Sequence, residues 1–279
     1  MGIAHRDGVD IYFEEHGPAD GPPLLLVNGF TSQVVAWEQE FVDEFVAAGF
    51  RLITFDNRDV GLSTKTDGPA PALGETPPYT VADMASDGMA VLDALGIDRA
   101  HVVGASMGGM IVQRMAIDHP DRVLSLTSIM STTGDRTVGA PNPEAMTALI
   151  TPPPTEREAY LDQTAANWRI FSGPHYDEAR SRARGARSYD RMFHPKGAAF
   201  QMAAIMADGD RTAALANVRC PTLVIHGRVD PLVGLSGGEA TAAAIPGAEL
   251  LVLDEMGHDV PLPLIPEIVG AIAKVAARA

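Results

Sequence analysis

Short runs that are apolar at every position alternate along this chain with longer stretches whose apolar residues recur at helical spacing. Leu24 to Val27 is wholly apolar and follows Pro22-Pro23, which reads as a strand buried on both faces, as in a parallel sheet. Arg51 to Phe55, Ala100 to Val103, Val123 to Ile129, Thr222 to His226 and Glu249 to Leu253 read as further strands. Between them the spacing predicts helices over Trp37 to Ala48, stopped by Gly49, over Val81 to Leu95, stopped by Gly96, and over Met107 to Asp118. Another is expected around Gly238 to Ala244, and Ile265 to Ala277 closes the chain with Pro266 tolerated in its first turn. Ahead of all these, Val9 to Glu15 alternates in character after the Arg6-Asp7-Gly8 turn, predicting an antiparallel opening hairpin. Strand alternating with helix predicts the α/β class: a mostly parallel central sheet flanked by helices, with right-handed crossovers.

The rhythm fails from Gly134 to Asp210, which holds Pro152-Pro153-Pro154, several helical segments and no convincing strand. Trp168, Ile170, Phe171, Phe193 and Phe200 in this stretch need burial, which argues against a disordered insert. The expected organisation is a core domain from residues 1–133 and 211–279, with 134–210 an inserted helical cap.

Composition narrows the class. The 279 residues are 46% apolar and 20% charged, as in a globular protein with a sizeable core, and the formal net charge of -15 argues against nucleic acid as a partner. The one notable cationic run, Arg180 to Arg191, reads as a solvated helix face. Cys220 is the single cysteine, so no intramolecular disulfide can form, and its place before Pro221 and a strand suits a buried structural thiol. Met1 to Asp10 carries early charges and no apolar stretch, and no run approaches membrane-spanning length. A cytoplasmic protein with no membrane partner is expected.

Gly104-Ala105-Ser106-Met107-Gly108 fits Gly-x-Ser-x-Gly, framed by a strand before it and a helix after it. That arrangement is the nucleophile elbow, a strained turn that exposes a serine. A serine hydroxyl needs a base beside it, itself oriented by a third group, and the expected chain order is serine, acid, histidine. Asp230 follows the Thr222 strand, and His258 lies on the loop after Leu250 to Leu253. Both fall at carboxyl ends of strands, where open α/β sheets place their sites. His226 lies inside a strand, while His5, His16, His101 and His119 sit elsewhere on the elements and read as structural. His175 and His194 fall in the cap. Asp254 and Asp259 flank His258 and read as surface residues, and Asp135 is the best substitute for Asp230. An oxyanion needs fixed N–H donors, for which Met107, at the start of the helix, and Phe30, in the Asn28-Gly29-Phe30 loop, are the expected pair.

With these pieces assembled, the chain resembles the α/β-hydrolase superfamily over nearly its whole length. Asp56-Asn57-Arg58-Asp59-Val60-Gly61-Leu62-Ser63 is similar to its Asp-x-Arg-Gly-x-Gly-x-Ser segment, Gly104 to Gly109 to its elbow, Gly227-x-x-Asp230 to its acid segment and Gly257-His258 to its base segment. Asn28-Gly29 stands where His-Gly is usual, and Asp59 replaces a glycine. A narrower likeness, to aclacinomycin-type methylesterases and bacterial carboxylesterases, implies a serine hydrolase cleaving a carboxylic ester of an apolar small molecule through an acyl-enzyme. Perhydrolase or cofactor-free haloperoxidase activity, C–C hydrolysis and hydroxynitrile lyase chemistry (with Lys196 as a conceivable cation) are alternatives on the same triad. A ligand-binding receptor is a remote one. No metal-ligand cluster or nucleotide loop is visible, so neither metal nor cofactor is expected. Trp168, Phe171, Tyr176, Tyr189, Met192, Phe193 and Met202 offer the cap apolar surface, for substrate or for its own core.

Overall fold

The computed structural model describes residues 1–72 and 75–279. Strands β1 (Gly2–Arg6) and β2 (Val9–His16) form the expected hairpin, paired Arg6 to Val9 across Asp7 and Gly8. Both turn residues take positive φ, 49° and 79°. That is the conformation for which Asp-Gly is suited in two-residue hairpin loops. The chain then runs through β3 (Pro23–Val27), α1 (Gln39–Ala47), β4 (Arg51–Phe55), α2 (Val81–Ala94), β5 (Ala100–Ala105), α3 (Met107–Asp118) and β6 (Val123–Ile129). Four helices follow without an intervening strand: α4 (Pro143–Ile150), α5 (Arg157–Phe171), α6 (Glu178–Arg191) and α7 (Gly197–Asp208). After the single turn α8 (Thr212–Leu215) come β7 (Thr222–Gly227), α9 (Leu235–Ala244), β8 (Glu249–Leu253) and α10 (Ile265–Ala276).

The eight strands form one sheet in the order β1-β2-β4-β3-β5-β6-β7-β8, antiparallel at β1-β2 and β2-β4 and parallel elsewhere. Apolar runs at every position are explained by the two layers that cover it. Leu25 and Val27 pack with residues of α2 and α3, such as Met84 and Ile111, while Leu24 and Leu26 pack with α1 and α10, through Phe41, Phe45 and Ile268. The chain order reverses between β3 and β5, which makes the carboxyl ends of those strands a topological switch point.

Two expectations are corrected. The helix predicted from Trp37 begins at Gln39, because Trp37 and Glu38 are extended, with ψ of 128° and 140°, after a 3-10 turn at Val34–Ala36. Trp37 instead lays its ring on Phe41, 5.5 Å between centroids. The arginines of α6 are not a solvated face either. Arg180 donates to Glu38 and Glu40, Arg184 stacks over Trp168 at 3.9 Å, and Arg191 donates to the fully buried Asp56. These arginines tie α6 to the sheet domain and to α5. Phe200 and Ala204 of α7 are buried in the same cluster as α2 and α3, so this helix is rooted in the main core.

Candidate active site

Ser106 sits between β5 and α3 with φ 57° and ψ -117°. A residue with a Cβ is strained in that region. The turn is enforced from both sides, since Ser106 N–H donates to Ile129 O at 2.9 Å and Ser131 Oγ donates to Ser106 O at 2.8 Å. The flanking glycines are required by close approach. A Cβ on Gly104 would lie 2.1 Å from Gly108 O, and one on Gly108 would lie 2.1 Å from Val27 O. The helix therefore packs against two strands with no room for a side chain.

The structure brings together the three side chains picked from the sequence. His258 Nε2 lies 2.9 Å from Ser106 Oγ, and His258 Nδ1 lies 2.8 Å from Asp230 Oδ2. Asp230 Oδ1 accepts the N–H groups of Leu232 and Val233 at 2.8 and 2.9 Å, which fixes the carboxylate just past β7. The imidazole is held from its own backbone as well, because His258 N–H donates to Phe171 O at the end of α5, 2.7 Å away. Glycine is needed at 257, where a Cβ would lie 2.5 Å from both Gly173 N and Phe171 O.

The competing residues have other work. His226 props the Asp230 loop by placing Nε2 2.7 Å from Val233 O, and burial pushes its pKa down. His101 is also lowered by burial and meets Ser125 Oγ at 2.9 Å. Asp135 Oδ1 closes its own turn by accepting from Thr137 N and Oγ1. Asp254 is exposed and pairs with Arg228, as expected of a surface residue. Asp259 is not on the surface. It lines the cavity beside His258 with Oδ1 buried and unpartnered, and burial raises its pKa.

The Asn28-Gly29-Phe30 loop faces Ser106: a Cβ on Gly29 would lie 3.8 Å from Ser106 Oγ and 3.1 Å from Ala105 O. Asn28, standing where histidine was usual, closes its own loop by donating to Gln33 O at 3.0 Å, and Asn57 Nδ2 donates to Asn28 O at 3.1 Å. Thr31 N–H donates to Gln201 of α7 at 2.8 Å. The N–H groups of Phe30 and Met107 have no hydrogen-bond acceptor among the described residues. Asp59, standing in place of a glycine, takes φ 69°, and its carboxylate accepts from Thr66 N and Oγ1 at 2.6 and 2.9 Å. A side chain thus anchors the backbone conformation that glycine would adopt freely.

Sequence reasoning missed the group that holds this loop in place. Asp56 accepts from Val34 N at 2.8 Å, Leu62 N at 2.8 Å and Arg191 at 2.7 Å, while Arg191 also donates to Gln33 Oε1 at 2.9 Å. Gln33 in turn donates to the carbonyls of Ser188 and Met192, both at 2.8 Å. The only early signal was Asp56 inside the Asp-x-Arg segment.

Ser106 and His258 open into a cavity of about 550 Å³. Of the aromatic and thioether residues named from the cap, Trp168, Phe171, Met192, Phe193 and Met202 line it. Tyr176 and Tyr189 instead donate to Ala165 O and Thr155 O within the helical segment. Trp37, Phe41 and Tyr160 add to the apolar wall, and Glu38, Asn167, Arg184, His194 and Asp259 are among its polar points. Lys196 is exposed and donates to Gly68 O, outside this lining. No helix among the described residues is long and apolar enough to cross a membrane, and no acidic, histidine or cysteine cluster among them could hold a metal ion.

Comparison with known proteins gives the family. The family profile for the alpha/beta hydrolase fold matches residues 22–263. A rhodomycin D methylesterase of Streptomyces peucetius is 32% identical, over 96% of this chain and 95% of the relative. A putative carbamate hydrolase of Variovorax paradoxus is 31% identical over 89% of each. Among solved structures, an enol-lactonase from Burkholderia xenovorans superposes with a TM-score of 0.74 at 24% identity, covering 99% of this chain and 98% of the other, a likeness of fold.

Proposed function

This chain belongs to the α/β hydrolase fold family, and from that premise we propose a serine carboxylic ester hydrolase that acts on an apolar small molecule through an acyl-enzyme. The observation carrying the reading is the unbroken line from Asp230 through His258 to Ser106, with contacts of 2.8 and 2.9 Å, at one wall of an aromatic-lined cavity. Ser106 Oγ attacks the ester carbonyl carbon while His258 Nε2 takes its proton. The negative charge that develops on the carbonyl oxygen is met by the N–H groups of Phe30 and Met107, which have no other acceptor among the described residues. Collapse breaks the carbon–oxygen bond, and His258 returns the proton to the departing alcohol. Water then repeats the cycle on the acyl-enzyme, releasing the acid and free Ser106. Asp230 holds the ring orientation and offsets the charge of the imidazolium.

The methylesterase relative, similar over nearly its whole length, supports a methyl ester, and the cavity of about 550 Å³ supports a bulky acyl portion. Residues 134–210 are assigned the part of a cap: α4, α5 and α6 all contribute to the cavity wall. Turnover of a short-chain p-nitrophenyl ester by Ser106→Ala and His258→Ala tests the reading. Both should lose it, and wild-type rates in either would overturn the proposal.

A further inference from the structure

Arg184 stands apart from the other arginines of α6. Arg180 donates to Glu38 and Glu40, Arg182 pairs with Asp162 and Glu158, and Arg191 donates to Asp56 and Gln33. Arg187 makes no hydrogen bond among the described residues, but its side chain is 46% exposed and open to water. Arg184 makes none either, yet is only 17% exposed and lines the cavity that holds Ser106 and His258. Its nearest carboxylate oxygen, on Glu38, is 3.7 Å from Nη1, outside hydrogen-bond reach.

The guanidinium is held in orientation by stacking, with no hydrogen bond to the described residues. Its central carbon lies 3.9 Å from the centre of the Trp168 ring, and stacking on a ring face leaves the N–H edges of the planar fork free. A guanidinium carries five donors and no acceptor, so one with no hydrogen bond to the described residues and a place in the cavity lining has donors to offer acceptor oxygens there. Two neighbouring acids offset part of its charge. Glu38 is shared with Arg180 and Arg187, and Asp259 holds its proton more readily because it is buried. Among the described residues lining the cavity, Arg184 is the one lysine or arginine, with Glu38 and Asp259 as the carboxylates near it.

We propose that Arg184, stacked on Trp168, is a carboxylate-recognising subsite, so that the ester hydrolysed at Ser106 carries a second, free carboxylate on its apolar body. The substrate assignment rests on the ester-hydrolase reading; the anion site does not. A bidentate pair between the fork and a carboxylate is the geometry that satisfies both.

The test uses methyl phenylacetates bearing, para to the ester arm, a carboxymethyl group, a carbamoylmethyl group or an isobutyl group of the same shape. Wild-type kcat/KM should favour the carboxymethyl ester over the isobutyl ester by about tenfold or more, the factor of one charge-assisted hydrogen bond. The carbamoylmethyl ester should fall between them. Arg184→Gln should bring the carboxymethyl-to-isobutyl ratio close to unity, and this ratio is independent of the fraction of enzyme folded. Arg184→Lys, which keeps the charge and loses the fork, should give an intermediate ratio and serves where the glutamine variant fails to fold. An unchanged ratio in the variants, a wild-type preference for isobutyl, or equal rates for carbamoylmethyl and carboxymethyl would overturn the assignment. Calorimetric binding of para-phenylenediacetate to Ser106→Ala needs no turnover. No binding there, with esters still cleaved by the wild type, sinks the subsite alone; binding without ester cleavage supports the subsite and sinks the hydrolase reading.

Discussion

The two halves of the candidate site are held by different parts of the molecule. Ser106 belongs to the sheet, because its backbone is bonded to Ile129 and Ser131 beside β6 and its flanking glycines pack against β3 and α3. Asp230 and His258 lean on the helical segment. His258 N–H donates to Phe171 O of α5, Asn142 N–H donates to Pro231 O beside the acid, and Leu232 packs with Ala145, Ala148 and Phe171. A hydroxyl fixed by hydrogen-bonded strands and an imidazole fixed across a seam respond to different insults. Damage to the sheet threatens the fold, whereas damage to the seam threatens alignment.

The largest effect falls on the line itself. Asp230→Asn should leave the backbone donors of Leu232 and Val233 in place and still lower kcat by about 10⁴-fold, because the wrong histidine tautomer faces Ser106. Steady-state kinetics on the p-nitrophenyl ester read this directly. Next comes a pair of glycine substitutions that separates sheet from seam. Gly257→Ala drives a methyl into Phe171 O and Gly173 N and should lower kcat by about 10²-fold through misplacement of the base, with a modest fall in melting temperature. Gly104→Ala meets Gly108 O inside the sheet–helix packing and should instead lower the melting temperature more than any seam variant.

Arg191→Met leaves the fully buried Asp56 without its cation and should cost about 3 kcal/mol in urea unfolding, the scale for breaking a buried pair. Asp56 accepts from Val34 N just beyond the Asn28-Gly29-Phe30 loop that faces Ser106, so residual activity should fall as well. The smallest effect is in pH. Burial lowers the pKa of His226, His101 and His194 below their ordinary 6.5, so the unfolded chain takes up protons that the native one refuses. Their contribution is complete above that value and declines as pH falls below it. Melting temperature should drop on acidification through this window, and His226→Gln should drop less steeply.

How much of this was legible follows the same division. The unbroken apolar run from Leu24 announces a strand covered on both faces, and the Leu24, Arg51, Val123 and Glu249 segments match observed strands to within a residue, the last at the exposed sheet edge. That Ser106, Asp230 and His258 meet was readable because each lies at a strand end. Long-range polar pairs leave no periodic trace. Nothing near Gln33 or Arg191 announces that they meet across 158 residues, or that Gln201 holds the backbone of Thr31. Arg184 and Asp259 were misjudged for a related reason: a charged residue beside a cavity looks, in sequence, like one beside water. Trp37 had helical spacing, but its large ring found better packing on Phe41 than a further helical turn would have offered.

The positive φ at residue 106 has a consequence for the lineage of such a chain. On the proposed mechanism, replacing that serine with glycine would abolish chemistry while relieving about 1–3 kcal/mol of conformational tension. A single such change would yield a more durable protein with its chamber intact. Loss of turnover and loss of foldedness are therefore uncoupled at this position, and a sturdy, catalytically silent descendant is one substitution away.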